Sequence, residues 1–242
     1  MTPAKIDIDL LATGARVFDL DLAPAQLDQF SRYADLLIDW NLRFNLTAIV
    51  DLRDIVIKHF LDSLSAARSI PPGPIKLIDV GAGAGLPGIA IKLVRPDVSL
   101  TLLEATRKKC DFLQAVVDDL QLTGVSIVNA RAEEAGRAVA HREQYDIAIA
   151  RGVAEMPTLL EYLLPLVKVG GYAVAQKSRE VLPDVQHAEL ALTTLGGRLS
   201  DIVAVSVPEL KEVRYLVVVE KIDRTPEKYP RRAGMPSKKP LA

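Results

Sequence analysis

The chain has 242 residues, 49% apolar and 25% charged, a composition that can bury a sizeable core. No run approaches the ~18 consecutive apolar residues of a membrane span, and the start MTPAKIDIDLLATG lacks the basic-then-apolar order of a secretion signal, so a cytoplasmic address and no membrane partner are expected. Cys110 is the only cysteine and His59, His141 and His187 are scattered, which excludes an intrachain disulfide and a cysteine-based zinc site and predicts no metal. The formal net charge is −1, but residues 221–242 hold seven Lys/Arg against two Asp/Glu, so the rest is acidic (23 basic, 29 acidic) and any RNA must be recognised by a local patch.

Pro24 opens a helical stripe of Leu27, Phe30, Ala34, Leu37 and Asn41, and a second helix runs from Asp51 through IVIKHFLDSLSAARS. The PPGP break at 71–74 ends this N-terminal helical cap, 1–70. Strands and helices then alternate. IKLIDVG, VSLTLLE, VSIVNA, YDIAIA and GYAVAQK read as strands, separated by LPGIAIKLVRP, RKKCDFLQAVVDDLQL, a short polar helix around 132–142 and PTLLEYLLPLVK. A helix through 181–195 leads to IVAVSV and RYLVVVEKI, close enough together to pair as an antiparallel hairpin at one edge. The prediction for 71–222 is α/β: a doubly wound, Rossmann-like domain with a mostly parallel seven-stranded sheet and an antiparallel edge strand. In 223–242, prolines at 226, 230, 236 and 240 forbid a regular helix. This basic tail reads as a solvated, disordered end or as a flexible arm that touches a polyanion.

The first strand runs into LIDVGAGAGLPG, where Gly81, Gly83, Gly85 and Gly88 fall within eight positions. So many glycines cost backbone entropy, so something must approach the backbone closely at a strand–turn–helix junction. Glu104 ends the second strand 23 residues beyond Gly81, near the spacing at which an acid accepts hydrogen bonds from a ribose. A nicotinamide dinucleotide and S-adenosylmethionine both fit. Asp79 favours the second, because a carboxylate there repels a pyrophosphate and can help hold a methionine amino group. No Tyr is followed four residues later by Lys, which removes the usual short-chain reductase pair. Ala132 and Glu133, in NARAEE, stand where an adenine edge would lie, although Glu133 equally suits the N-terminus of a helix.

The acceptor is approached by elimination. After the fourth strand, ARGVAEMP lacks the Asp/Asn-Pro-Pro-aromatic stretch common in methylation of exocyclic amines. Cys110 lies inside a helix, away from the expected cleft, so a thiolate attack on a pyrimidine is unsupported. A purine N7 is already nucleophilic and loses no proton, so proximity and electrostatics suffice, with no covalent catalytic residue.

In order, NLTAI, KHFLDSL, LIDVGAGAGLPGIAIKLVRP, LLEATRKKCDFL, NARAEE, ARGVA and the EKYPRRAGMPSKKPL tail closely resemble the bacterial 16S ribosomal RNA guanine-N7 methyltransferases, formerly called glucose-inhibited division protein B. The resemblance implies a class I methyltransferase that uses S-adenosylmethionine, releases S-adenosylhomocysteine, and methylates one guanine in the decoding region of 16S rRNA, free or in the small subunit; a monomer is expected, although the sequence does not fix the oligomeric state. It implies cofactor contacts at Gly81 and Leu86, at Glu104, Ala105 and Thr106, at Ala132 and Glu133, and at Arg151, with Asp79, Gly83 and Gly85 completing the loop. Arg151 is assigned to the methionine carboxylate or the RNA, as a possible orienter, or to a surface ion pair. His59, Arg107, Lys108, Lys177 and Arg214 are assigned to RNA, and Lys109 adds a third cation beside Arg107 and Lys108. His59, Asp62 and Ser63 match the family's upstream motif, in a functional or a purely structural role. Where the family has Lys-Gly after the fifth strand, this chain has Lys177-Ser178. A nicotinamide-dependent oxidoreductase and an RNA-binding module with a vestigial pocket remain the alternatives.

Overall fold

A computed structural model describes residues 5–178 and 181–242. The chain opens with α1 (Ile8–Arg16), whose first turn is capped by Asp7 accepting the Leu10 amide at 2.9 Å. α2 (Pro24–Asn41) starts at its proline, with the Gln26 side chain accepting the Ala23 amide at 2.8 Å. α3 (Leu52–Asp54) leads into a π-helical segment (Ile55–Leu61), then α4 (Asp62–Ser65) and a 3₁₀ turn (Ala66–Ser69). The expected second helix is therefore present, but overwound and underwound along its length.

Alternation follows: β1 (Lys76–Val80), α5 (Gly88–Val94), β2 (Ser99–Glu104), α6 (Arg107–Asp119), β3 (Val125–Asn129), α7 (Ala132–Ala135) and β4 (Tyr145–Arg151). Then come α8 (Met156–Leu163), β5 (Val167–Lys177), α9 (Leu182–Gln186), α10 (Glu189–Leu195), β6 (Gly197–Val205), β7 (Arg214–Lys221) and α11 (Met235–Lys238). The sheet order is β3-β2-β1-β4-β5-β7-β6, parallel throughout the first five strands, with β7 antiparallel to both neighbours.

Period-two alternation along the strands divides the core between the two sheet faces. Leu77, Ile147, Ile149 and Leu216 join one apolar cluster with Phe30, Phe60, Leu64, Ile89 and Phe112, so the N-terminal helices share a core with α5 and α6. Ile78, Ala148, Ala173 and Val217 join a second cluster with Leu160, Leu163, Ala191 and Tyr229. Phe60 packs its ring 5.0 Å from Phe30 and 5.4 Å from Tyr33, and burying such a ring stabilises by about 1.5–3 kcal/mol.

The tail differs from both sequence readings, because it is packed rather than free. Arg142 donates to the Thr225 and Tyr229 carbonyls at 2.6 and 2.8 Å, and Arg231 pairs with the fully buried Glu161 at 2.6 Å. Long-range arginine contacts hold the tail, and its one short helix, α11, accommodates Pro236 in the first turn, where proline is tolerated. Among the described residues no helix is long and apolar enough to cross a membrane, and no group of three or more His, Cys, Asp or Glu could hold a metal ion.

Candidate active site

The strand order reverses between β1 and β4, which lie side by side and parallel, and in such sheets ligands bind outside the carboxyl ends of the strands at that point. The glycine loop lies there. Gly81, Gly83 and Gly85 have φ of +71°, +59° and +85°, which side chains adopt only under strain. A Cβ on Gly85 would stand 2.5 Å from Ile89 Cδ1, and one on Gly81 would stand 2.9 Å from Val153 Cγ2.

Glu104 holds the loop closed. Its Oε2 accepts the Gly83 amide at 3.0 Å and its Oε1 the Thr106 amide at 2.8 Å. A carboxylate has lone pairs beyond these two, so it can still accept from a ribose hydroxyl. Asp79, expected beside a methionine amino group, is fully buried beneath the loop, and its Oδ2 accepts the Gly88 amide at 2.8 Å. Its Oδ1 has no hydrogen-bond partner among the described residues. Burial pushes its pKa up to about 7, against a smaller opposing pull from the Gly88 amide.

Two cavities meet at this end of the sheet. The smaller, about 130 Å³, is lined by Gly81, Glu104, Ala105, Ala132, Glu133 and Tyr162, among others. It gathers five of the sequence-derived cofactor residues. The larger, about 550 Å³, is lined by His59, Asp62, Arg151, Gln176, Lys177 and Arg214 with their neighbours. Val153 lines both. Gly83, Gly85, Leu86 and Thr106 line neither; Leu86 is buried in the first core and Thr106 caps α6.

Asp62 organises the larger cavity. Its two carboxylate oxygens accept from Arg151 at 2.9 Å and Arg214 at 2.8 Å, and its backbone carbonyl accepts from Gln176 at 2.6 Å. Arg151 therefore makes an ion pair within the chain, and its guanidinium also reaches the Lys58 and His59 carbonyls. His59 is bound through Nε2 to the Thr47 hydroxyl at 2.9 Å, and Ser63 donates to the His59 carbonyl at 2.5 Å. Burial, helped by the Arg151 charge, lowers the His59 pKa to about 4. At neutral pH it is an uncharged imidazole, so any contact it makes with RNA is a hydrogen bond rather than a charge pair. Lys177 is tied to Asp184 at 2.8 Å and to the Ala154 carbonyl at 2.8 Å.

The remaining two RNA assignments fall outside both cavities. Arg107 pairs with Asp111 one turn along α6 at 3.1 Å, and Lys108 sits 5.2 Å above the Phe44 ring. These contacts give two of the three cations at the start of α6 a structural reason. Cys110 is buried, its thiol donating to the Glu104 carbonyl at 3.4 Å, and burial pushes its pKa up, opposite to what a nucleophile needs.

Sequence reasoning missed Gln176 and Val153. Gln176 carried a signal, a polar side chain within an otherwise apolar strand; Val153 carried none.

A family model described as rRNA small subunit methyltransferase G matches residues 26–213. The chain belongs to that family. A protein of Alkaliphilus oremlandii named ribosomal RNA small subunit methyltransferase G is 43% identical over 234 residues, covering 96% of this chain and 98% of its own length. One of the same name from Roseiflexus castenholzii is 45% identical over 234 residues, 97% of this chain and 100% of its own. Among solved structures, a precorrin-6y C5,15-methyltransferase from Geobacter metallireducens superposes with a TM-score of 0.51 at 16% identity, covering 72% of this chain and 92% of that one. M. jannaschii TYW2 in complex with AdoMet gives 0.52 at 14% identity, covering 66% and 77%. At such identities these structures establish the fold alone: a Rossmann-like α/β domain with a mostly parallel seven-stranded sheet. Family membership makes the protein a ribosomal RNA methyltransferase with S-adenosylmethionine as cofactor, and neither alternative reading survives it.

Proposed function

We propose that the protein methylates N7 of a single guanine in the decoding region of 16S rRNA, free or within the small subunit, in the cytoplasm. The observation that carries this reading is the pair of cavities that meet at Val153, one walled by acids and backbone, the other open and polar.

The residues fit the cofactor. The smaller cavity alone is below the ~300–1,000 Å³ of a typical ligand pocket, so it suits the adenosine end, with the methionine end extending past Val153 toward the larger cavity. Glu104 suits the ribose, Ala132 and Glu133 the adenine edge, and Gly81 allows close backbone approach. Asp79 acts from below, fixing the start of α5 through Gly88. When bound, S-adenosylmethionine supplies a methyl group on a sulfonium; the N7 lone pair takes that carbon as the carbon–sulfur bond breaks, and S-adenosylhomocysteine leaves. No proton is removed, which agrees with a pair of cavities lined by no cysteine among the described residues and with a histidine held neutral and hydrogen-bonded.

The larger cavity suits the acceptor. Gln176 Oε1 lies buried in its wall with no hydrogen-bond partner among the described residues, as does His59 Nδ1, a deficit that a polar occupant can relieve. Arginine usually reads guanine by gripping O6 and N7 together, but N7 must face the donor here, so recognition falls on O6 or the Watson–Crick edge. The target base must stand in a loop or leave its stack.

The test is methyl transfer from labelled S-adenosylmethionine to purified small subunits and to protein-free 16S rRNA, followed by nucleoside analysis. Label in 7-methylguanosine alone is expected; label in an N1, N2 or C5 methylated nucleoside overturns the N7 assignment.

A further inference from the structure

The chain's last residues reach the wall of the smaller cavity. Glu133, which lines that cavity and is only 4% exposed, accepts the Gly234 amide on Oε1 at 2.8 Å. Gly234 has φ of +79°, so the amide is delivered by a left-handed turn that glycine permits.

The segment before this turn is tied down on both sides. Arg137 donates to the Pro230 carbonyl at 2.7 Å, and Gly136 is so close that a Cβ there would meet Pro230 Cγ at 2.9 Å. Arg231 grips Glu161 with its backbone amide at 2.7 Å and its guanidinium at 2.6 Å. Beyond the turn, Thr158 donates to the Pro236 carbonyl at 3.2 Å. Glu161 and Thr158 belong to α8, as does Tyr162, another residue of the cavity wall. The tail, α8 and Glu133 thus form one hydrogen-bonded unit.

We propose that the C-terminal segment is a positioning element of the cofactor site. With Oε1 occupied by Gly234, Glu133 cannot turn freely, and Oε2 is left to accept the 6-amino group of adenine. The tail thereby contributes to cofactor selection without touching the cofactor. This inference rests on the reading of the smaller cavity as the adenine site.

The test compares S-adenosylhomocysteine with S-inosylhomocysteine, in which an oxygen replaces the 6-amino group, by calorimetry on three full-length proteins: wild type, Glu133→Gln and Gly234→Pro. Proline removes the amide and cannot adopt the left-handed turn. Wild type is expected to prefer the adenine form. Gly234→Pro is expected to bind it about five- to tenfold more weakly, the worth of one such hydrogen bond, and to lose most of the preference while its melting temperature falls by only a few degrees. A protein shortened to residue 232, which keeps the Arg231–Glu161 pair, is expected to behave likewise and serves if the proline disturbs folding. The inference is overturned if Glu133→Gln loses the preference while Gly234→Pro and the shortened protein keep it. If wild type shows no preference, or Glu133→Gln keeps it, the adenine assignment itself fails and the inference with it.

Discussion

Asp62 shows how much a single buried carboxylate can organise. It is 4% exposed and its single negative charge is shared by two guanidinium groups brought from β4 and β7. Removing one partner of a buried pair leaves charge uncompensated, at a cost of about 3–5 kcal/mol. Asp62→Asn should therefore lower unfolding stability by about 3 kcal/mol in urea titration, and a loss below about 1 kcal/mol would show the two arginines to be independently solvated. Asp79 has the opposite balance, since no cation pairs with it. Its pKa is raised in the folded state, so its contribution to stability is complete below the unfolded value of 3.8 and is lost as pH rises through about 7. Asn does not titrate and still accepts from Gly88. Asp79→Asn should thus match wild type in stability near pH 4 and exceed it by up to ~4 kcal/mol at pH 8. A constant difference across that range would contradict the burial argument. His59 runs the other way: its lowered pKa means that stability falls as pH drops from 6.5 toward 4.

At the scale of elements, the glycine loop separates backbone need from space. Gly85 has both a left-handed φ and neighbours at 2.5 and 2.8 Å, Ile89 and the Tyr33 hydroxyl, whereas a Cβ on Gly83 would meet nothing nearer than the Gly81 carbonyl at 3.7 Å. Gly85→Ala should cost about 1–3 kcal/mol from overpacking and strain and weaken S-adenosylhomocysteine binding. Gly83→Ala should cost less stability. Thermal melts with and without ligand check the order, and equal melting temperatures would show that Ile89 simply moves aside. The same division between local and distant causes governs what the sequence reveals. The seven strands are legible because short apolar runs, near-continuous in the central strands, alternate with helical-period segments. The carboxyl-end placement of the glycine loop and of Glu104 follows from chain order. α1 was overlooked although its Asp7 cap was there to be seen, in DIDLLATG. The order of the tail was not legible, because prolines announce the absence of a helix while the arginines that dock it lie about 90 residues earlier. Arg151 lines the larger cavity rather than the one that gathers the cofactor residues, held there by Asp62, which is 89 residues away and linked to it by no local spacing.

For the whole molecule, two cores on opposite faces of one sheet hold a cleft rigidly at the point where strand order reverses. The N-terminal helices contribute Asp62 and His59 to that cleft, and the tail contributes to its far wall. The cationic rim is largely compensated: Arg151 and Arg214 share Asp62, while Lys177 pairs with Asp184 and Lys58 with Asp54, which leaves one excess positive charge. An acidic body with a compensated rim binds polyanions weakly, so selection must come from the shape of a folded RNA and one accessible base. The central claim, methylation of one guanine at N7, is tested most directly by borohydride–aniline cleavage and primer extension on 16S rRNA from cells with and without this protein. The account predicts a single strand break, in the decoding region, that disappears when the protein is removed. Identical patterns from the two RNAs would contradict it.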